Sequence, residues 1–178
     1  MSDNACNRRG LTGFIVNPKC GEKLSLHIGM FLVNFGAIEM LSYEWLRKTL
    51  PNQKAFSVII KQKFNDRVNK IINLIKAMPL DFQLKDNILS AWNIAKDIAK
   101  VRNAIAHNPI VFVWSNRDEA GEPDIIGIPV LRSVSGDQFQ IAPVINVNKL
   151  HTAVDDLVNL AKKLHDLFLQ VQKAATST

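Results

Sequence analysis

The sequence contains few cysteines and histidines, the residues that most often form disulfides or bind transition metals. Only two of its 178 residues are cysteines, Cys6 and Cys20, and neither has a CxxC partner or a nearby pair of histidines. This pattern argues against a zinc site, gives no support to a disulfide, and favours a reducing compartment. Away from the motif described below, we interpret His27, His151 and His165 as surface or boundary residues. The sequence contains no glycine-rich phosphate loop, nucleophile elbow or HExxH motif, so we expect no metal ion and no cofactor.

The sequence also lacks an uninterrupted apolar run of membrane-spanning length. The strongly apolar segment Ile28 to Leu41 contains Asn34 and Glu39 and falls short of the roughly 20 residues needed to cross a bilayer. We interpret it as part of a buried core helix. It starts too far into the chain, and lacks a convincing small-residue cleavage site, to be a secretory signal. The prediction is a cytoplasmic protein with no membrane partner.

Charge and composition indicate an ordinary globular chain. Hydrophobic residues make up 47% and charged residues 21%, and the length suits one domain with a sizeable core. The net charge of +6 is compatible with a polyanionic partner such as RNA, but no dense block of lysine and arginine is present.

Apolar residues recurring at alternating spacings of four and three predict four long helices. Their expected bounds are about Ser25 to Leu50, about Gln53 to Met78, from Asp81 as N-cap after Pro79 to just past His107, and about Asn148 to Ala174. Residues 1–23 are expected to form a tail or loosely docked arm, and residues 24–178 the helical domain. On the second helix we interpret one set of charges as a solvated face that could border an RNA path: Lys61, Lys63, Arg67, Lys70 and Lys76.

The pattern changes between residues 110 and 145. Ile110 to Trp114, Ile125 to Leu131 and Gln138 to Ile141 are short β-prone runs separated by turn formers. They predict a small β-meander that leans on the bundle or on a partner, with Trp114 and Phe139 in a hydrophobic platform rather than stacked on bases. The predicted fold is mainly α: a four-helix up-and-down-type bundle with a β-meander insertion before the last helix.

The segment Arg102 to Pro109, reading Arg-Asn-Ala-Ile-Ala-His-Asn-Pro, is the most specific motif in the chain. Arg102 falls on the apolar seam of the third predicted helix, where a guanidinium keeps its charge and needs an acceptor. Pro109 disfavours helical geometry at Asn108, so His107 is expected at the helix C-terminus, where the macrodipole favours a protonated imidazole. An arginine and a histidine in a last turn can also do no more than neutralise the terminal carbonyls.

The spacing within the motif limits which side chains converge. Asn103 and His107 lie four residues apart and share a helix face, whereas Arg102 and His107 are about 140° apart around the axis. Arg102 and His107 could meet if the last turn unwinds before Asn108, or if two copies of the helix end meet across a two-fold axis.

Glu39 is an acid on the apolar stripe of the first predicted helix. Buried acids are normally paired, so Glu39 is expected in a structural ion pair or at a partly exposed helix edge. A sharper hypothesis is that Glu39 holds Arg102 in place.

Arg102, Asn103 and His107 together resemble the RNxxxH signature of the HEPN superfamily, which consists of small helical bundles, many of them ribonucleases. The resemblance implies catalytic roles for Arg102 and His107 in metal-independent RNA cleavage, a supporting hydrogen bond from Asn103, and a composite site in a homodimer. Glu39 and Asn108 are assigned supporting positions. The resemblance also suggests a toxin or defence setting, with an antitoxin or another protein as a further partner. The long β-rich segment after the motif departs from the family pattern.

Two alternatives to a nuclease remain. One is a non-catalytic HEPN-like dimerisation module that binds a nucleotide, RNA or a protein through the same basic pocket. The other is a purely structural dimerisation bundle in which Arg102 and Glu39 form a buried pair, so that Arg102→Ala costs about 3–5 kcal/mol of stability and has no other effect.

Overall fold

The structure, a computed structural model, describes the backbone of residues 18–107, 110–117, 123–132, 139–141 and 145–176, and the side chains at position 22 and in 25–106 and 150–174. Five α-helices lie in these ranges: α1 Pro18–Thr49, α2 Gln53–Ile59, α3 Phe64–Ala77, α4 Phe82–His107 and α5 Val147–Thr176. The prediction of a mainly helical protein is confirmed.

The first helix begins earlier than the sequence pattern predicts. α1 starts at Pro18, seven residues before Ser25. Proline suits a first helical position because its fixed φ is helical and its missing amide would have no intrahelical partner there. The apolar stripe does not extend back to this turn, which is why periodicity placed the boundary later. Residues 1–17 lie outside the described residues, and the tail predicted there stays a prediction.

The prediction of one continuous second helix from Gln53 to Met78 is wrong. The backbone leaves the helix between α2 and α3, and Lys63 adopts an extended conformation with φ −61° and ψ 155° before α3 begins. Three consecutive β-branched residues, Val58 to Ile60, lower the helix propensity just before this break. The carbonyl of Gln62 in the break accepts a hydrogen bond from Arg67 Nη1 at 2.7 Å. A side chain thus satisfies a backbone group that the interrupted helix leaves open.

The helix that carries the motif has the predicted ends. Asp81 Oδ1 accepts hydrogen bonds from the amides of Gln83 at 2.8 Å and Leu84 at 3.2 Å, as an N-cap residue does. At the other end α4 stops at His107. Asn108 and Pro109 lie outside the described residues.

The chain divides into two compact units, one formed by residues 1–32 and 103–154 and the other by residues 33–102 and 155–178. In the second unit, called here the bundle unit, Trp45 of α1 contacts Trp92 of α4 and Phe168 of α5, with ring centroids 5.9 and 5.4 Å apart. Val68 and Ile71 of α3 are buried as well. Side chains from α1, α3, α4 and α5 therefore form one core, and the prediction of a helical bundle is confirmed.

The middle of α1 belongs to this core. By length and composition alone, residues Ser25–Thr49 are apolar enough to cross a membrane, a test that core helices of soluble proteins also pass. Of its most apolar 18-residue window, 22% is buried. Phe35, Ile38 and Trp45 are buried in the bundle unit whereas Val33 and Met40 are exposed, so the prediction of a buried core helix holds for one face of α1 and not for another.

The described residues between α4 and α5 form four strands: β1 Ile110–Arg117, β2 Pro123–Arg132, β3 Phe139–Ile141 and β4 Ile145–Asn146. β2 pairs antiparallel with each of the others, and the β1–β2 register shifts between Trp114 and Arg117. The side chains of this segment lie outside the described residues. That the insertion is a meander leaning on the bundle or on a partner, with Trp114 and Phe139 in its platform, stays a prediction.

Candidate functional site

One carboxylate in the bundle unit binds two arginines from two other helices. Glu39 of α1 accepts a hydrogen bond at Oε2 from Arg102 Nη2 of α4 at 2.9 Å, and at Oε1 from Arg67 Nη2 of α3 at 3.0 Å. The prediction that Glu39 pairs with an arginine, and with Arg102 in particular, is confirmed. We call these three residues the Glu39 cluster.

Arg67 is the buried member of the Glu39 cluster, with only 4% of its surface exposed. Its Nη1 donates to the Gln62 carbonyl, its Nε donates to Ser42 Oγ at 3.3 Å, and its guanidinium lies 4.4 Å from the centroid of the Tyr43 ring. A guanidinium does not lose its charge in a protein, so burial requires that its donors find acceptors. The surrounding groups provide both acceptors and an aromatic face.

The prediction that Arg67 belongs to a solvated charged face of the second helix is wrong. Arg67 lies three residues after Phe64 and four before Ile71, which places it on the buried seam of α3. The same spacing that identified Arg102 was therefore present for Arg67. Because several lysines lie near Arg67 in the sequence, it was interpreted as part of their solvated face and its position on the apolar stripe was missed.

Arg102 lies at the edge of the same core. Its side chain is 25% exposed, and its guanidinium is 5.2 Å from the centroid of the Phe35 ring. Two guanidinium groups share one carboxylate, so the cluster carries a formal charge of +1. Arg102 is thus held in place by a carboxylate that Arg67 binds as well.

The remaining motif residues belong to the other compact unit. Asn103 is exposed on α4, directly after Arg102. His107 is the last residue of α4, and its side chain lies outside the described residues, as does all of Asn108. The structure therefore brings Glu39 and Arg102 together, whereas the catalytic roles of Asn103 and His107 and the supporting role of Asn108 stay predictions.

Two of the dispersed histidines contact each other. The rings of His27 on α1 and His151 on α5 meet edge to face with centroids 5.4 Å apart. Their sequence separation gives no sign of this pairing. Within the described part of the chain, no group of three or more His, Cys, Asp or Glu residues is placed to hold a metal ion.

Comparison with protein-family models, with curated proteins and with solved structures finds no match for this chain.

Proposed function

We propose that the protein is a metal-independent endoribonuclease of HEPN type, with Arg102, Asn103 and His107 as its catalytic residues. The observation that carries the proposal is the Glu39 cluster, because it holds a partly exposed arginine of the RNxxxH motif in place. Such a group suits a phosphodiester that gains negative charge during the reaction. The toxin or defence setting and the cytoplasmic location are part of the same proposal.

The proposed reaction uses the RNA as its own nucleophile. The 2′-oxygen forms a bond to phosphorus as the bond from phosphorus to the 5′-oxygen breaks, which gives a 2′,3′-cyclic phosphate and a 5′-hydroxyl end. His107 accepts the proton from the 2′-hydroxyl or donates one to the departing 5′-oxygen, and solvent water takes part in the other proton transfer. Arg102 stabilises the charge that develops on the phosphate oxygens, and Asn103 orients His107 or the phosphate. DNA lacks the 2′-hydroxyl and is not a substrate.

The first test is RNA cleavage by the purified protein in excess EDTA. Wild type should cut labelled single-stranded RNA at an unchanged rate after chelation, leave a matched DNA intact, and produce cyclic phosphate ends, which mass spectrometry identifies. Loss of cleavage in EDTA that added Mg²⁺ restores would contradict the metal-independent mechanism. No cleavage of any RNA by folded wild type would remove the nuclease proposal.

We also propose that the active form is a homodimer in which two helix ends build a composite site. The support is an exposed apolar face on α1, where Val33 is 75% and Met40 59% exposed, with Ala37 at helical spacing between them. A face without charged positions can meet its own copy in an isologous contact. In this proposal the domain is an up-and-down bundle with the β-meander as an insertion before its last helix.

Sedimentation at micromolar concentration tests the dimer. Wild type should sediment as a dimer, and a Val33→Lys/Met40→Lys variant as a monomer, because buried ammonium groups oppose the contact. The matched control is Val58→Lys, which changes an exposed apolar residue on a different helix, α2. A wild type that stays monomeric at all concentrations would remove the composite site.

A non-catalytic binding module is the second candidate, since the contact between Arg102 and Glu39 gives Arg102 a structural role that needs no reaction. RNA binding without cleavage by folded wild type would favour this module.

A further inference from the structure

A polar groove lies between α3 and α4 in the bundle unit, with a cavity volume of about 680 Å³. Two helix faces line most of it: Asn69, Asn73 and Lys76 on α3, and Ser90, Asn93 and Lys96 on α4. We call it the α3–α4 groove. It lies wholly within one compact unit, the same unit that holds the Glu39 cluster.

The chemistry of the groove favours a polyanion with flat, polar-edged groups. The side-chain carboxamides of Asn69, Asn73 and Asn93 can both donate and accept hydrogen bonds, as the edges of nucleobases also do. Ile72 and Leu89 add apolar surface that a base can cover. Two lysines against the one carboxylate of Asp86 leave a positive balance that suits phosphate.

A protein partner fits this lining less well. Protein interfaces are depleted in lysine and serine at their cores and enriched in aromatic residues and methionine. The residues that line the α3–α4 groove include lysine, serine and asparagine but no aromatic residue and no methionine. Nucleic acid is therefore the favoured occupant.

Lys96 is already held in the groove by a contact between the two helices. Its Nζ donates to Asn69 Oδ1 at 2.8 Å, which orders both side chains before any ligand arrives. The next lysine on α4, Lys100, is instead paired with Asp97 at 2.8 Å, and this hydrogen bond is the main cause of a lowered pKa at Asp97. Lys96 is thus the α4 lysine placed to contact a phosphate in the groove.

We propose that the α3–α4 groove binds single-stranded RNA, at nucleotides beside the one that is cut. The choice of RNA rests on the proposed ribonuclease function. Lys96 and Arg102 are six residues apart on α4, about 9 Å of helix rise and about 120° around the axis. Because of this offset, Lys96 is placed to contact nucleotides that flank the reacting phosphate rather than the phosphate that Arg102 contacts.

The test measures binding apart from cleavage. A fluorescent single-stranded RNA with 2′-O-methyl groups throughout cannot supply the nucleophile, so anisotropy titrations report affinity alone. Lys96→Glu and Lys76→Glu should each bind at least about tenfold more weakly than wild type, and Lys76→Ala should reduce the dependence of log K on log salt by about 0.7. Lys163→Glu on α5, exposed and outside the groove, should bind as wild type does. Circular dichroism checks that each variant is folded.

The outcomes separate the groove from the nuclease. If the Lys76 and Lys96 variants bind RNA as tightly as wild type, the groove proposal is wrong, even if wild type cleaves RNA. If wild type binds RNA more tightly than these variants but cleaves no RNA, the groove proposal is supported and the ribonuclease proposal is wrong. A wild type that binds no RNA would overturn the groove proposal and point to a protein occupant.

Discussion

Arg102→Ala and His107→Ala should each lower the rate of RNA cleavage by about 10²- to 10⁴-fold, the range typical of a lost general acid or base or of a lost group that stabilises transition-state charge. The measurement is the initial rate of cleavage of a labelled RNA under single-turnover conditions. This is the largest effect that the proposed function predicts, because both residues are assigned to the reacting phosphodiester.

The Arg102→Ala and His107→Ala variants each have a matched control. Arg47→Ala removes an exposed arginine that pairs with Glu44 on the same helix, and His165→Ala removes an exposed histidine of α5. Both controls should cleave RNA at the wild-type rate. If His107→Ala also cleaves at that rate, the proposed chemistry is wrong, whatever Arg102→Ala does.

The Glu39 cluster makes Arg102→Ala easier to interpret than the sequence suggested. If Arg102 and Glu39 formed a simple buried pair, Arg102→Ala would leave Glu39 without a partner and lower the free energy of unfolding by about 3–5 kcal/mol. In the structure Arg67 also binds Glu39, a contact that does not involve Arg102. We therefore expect Arg102→Ala to lower the free energy of unfolding by about 1.5 to 3 kcal/mol, less than a broken buried pair costs, so the variant should still fold.

Arg67→Ala should have the largest effect on stability, lowering the free energy of unfolding by about 3 to 5 kcal/mol. The substitution removes a buried side chain from α3 and leaves the Gln62 carbonyl and Ser42 Oγ without the hydrogen bonds that Arg67 donates. It also removes one of the two cations that hold Glu39. The measurement is equilibrium unfolding in urea, followed by far-UV circular dichroism.

Lys70→Ala, an exposed substitution on the same helix, is the control and should change the free energy of unfolding by less than about 0.5 kcal/mol. If Arg67→Ala unfolds at the same urea concentration as Lys70→Ala, the contacts of Arg67 do not stabilise the fold. Arg67→Lys should recover only part of the loss, because an ammonium cannot match the planar fork of a guanidinium.

Local sequence signals predicted the motif helix well. Asp81 as N-cap and His107 as last residue follow from capping and proline rules that act within a few residues. The contact between Glu39 and Arg102 was also accessible, because each charge interrupts an otherwise apolar stripe and so needs a partner.

Other features depend on contacts that a local pattern does not contain. The break before α3 interrupts a stripe that looks continuous through Ile60 and Phe64, and Arg67 donates to the Gln62 carbonyl there while it binds Glu39 on another helix. The α3–α4 groove likewise depends on how two helices pack. Neither could be derived from spacing along one helix.

The Glu39 cluster also bears on the order in which the chain can fold. Its carboxylate is 28 residues from Arg67 and 63 residues from Arg102. Closing the longer loop costs about 0.7 kcal/mol more chain entropy than closing the shorter one, so contact between α1 and α3 is the less costly first step. Docking of α4 then joins Arg102 to a carboxylate that Arg67 already holds. On this order Arg102 reaches its place only after three separate helices have assembled, so we expect any activity of this site to appear late in folding.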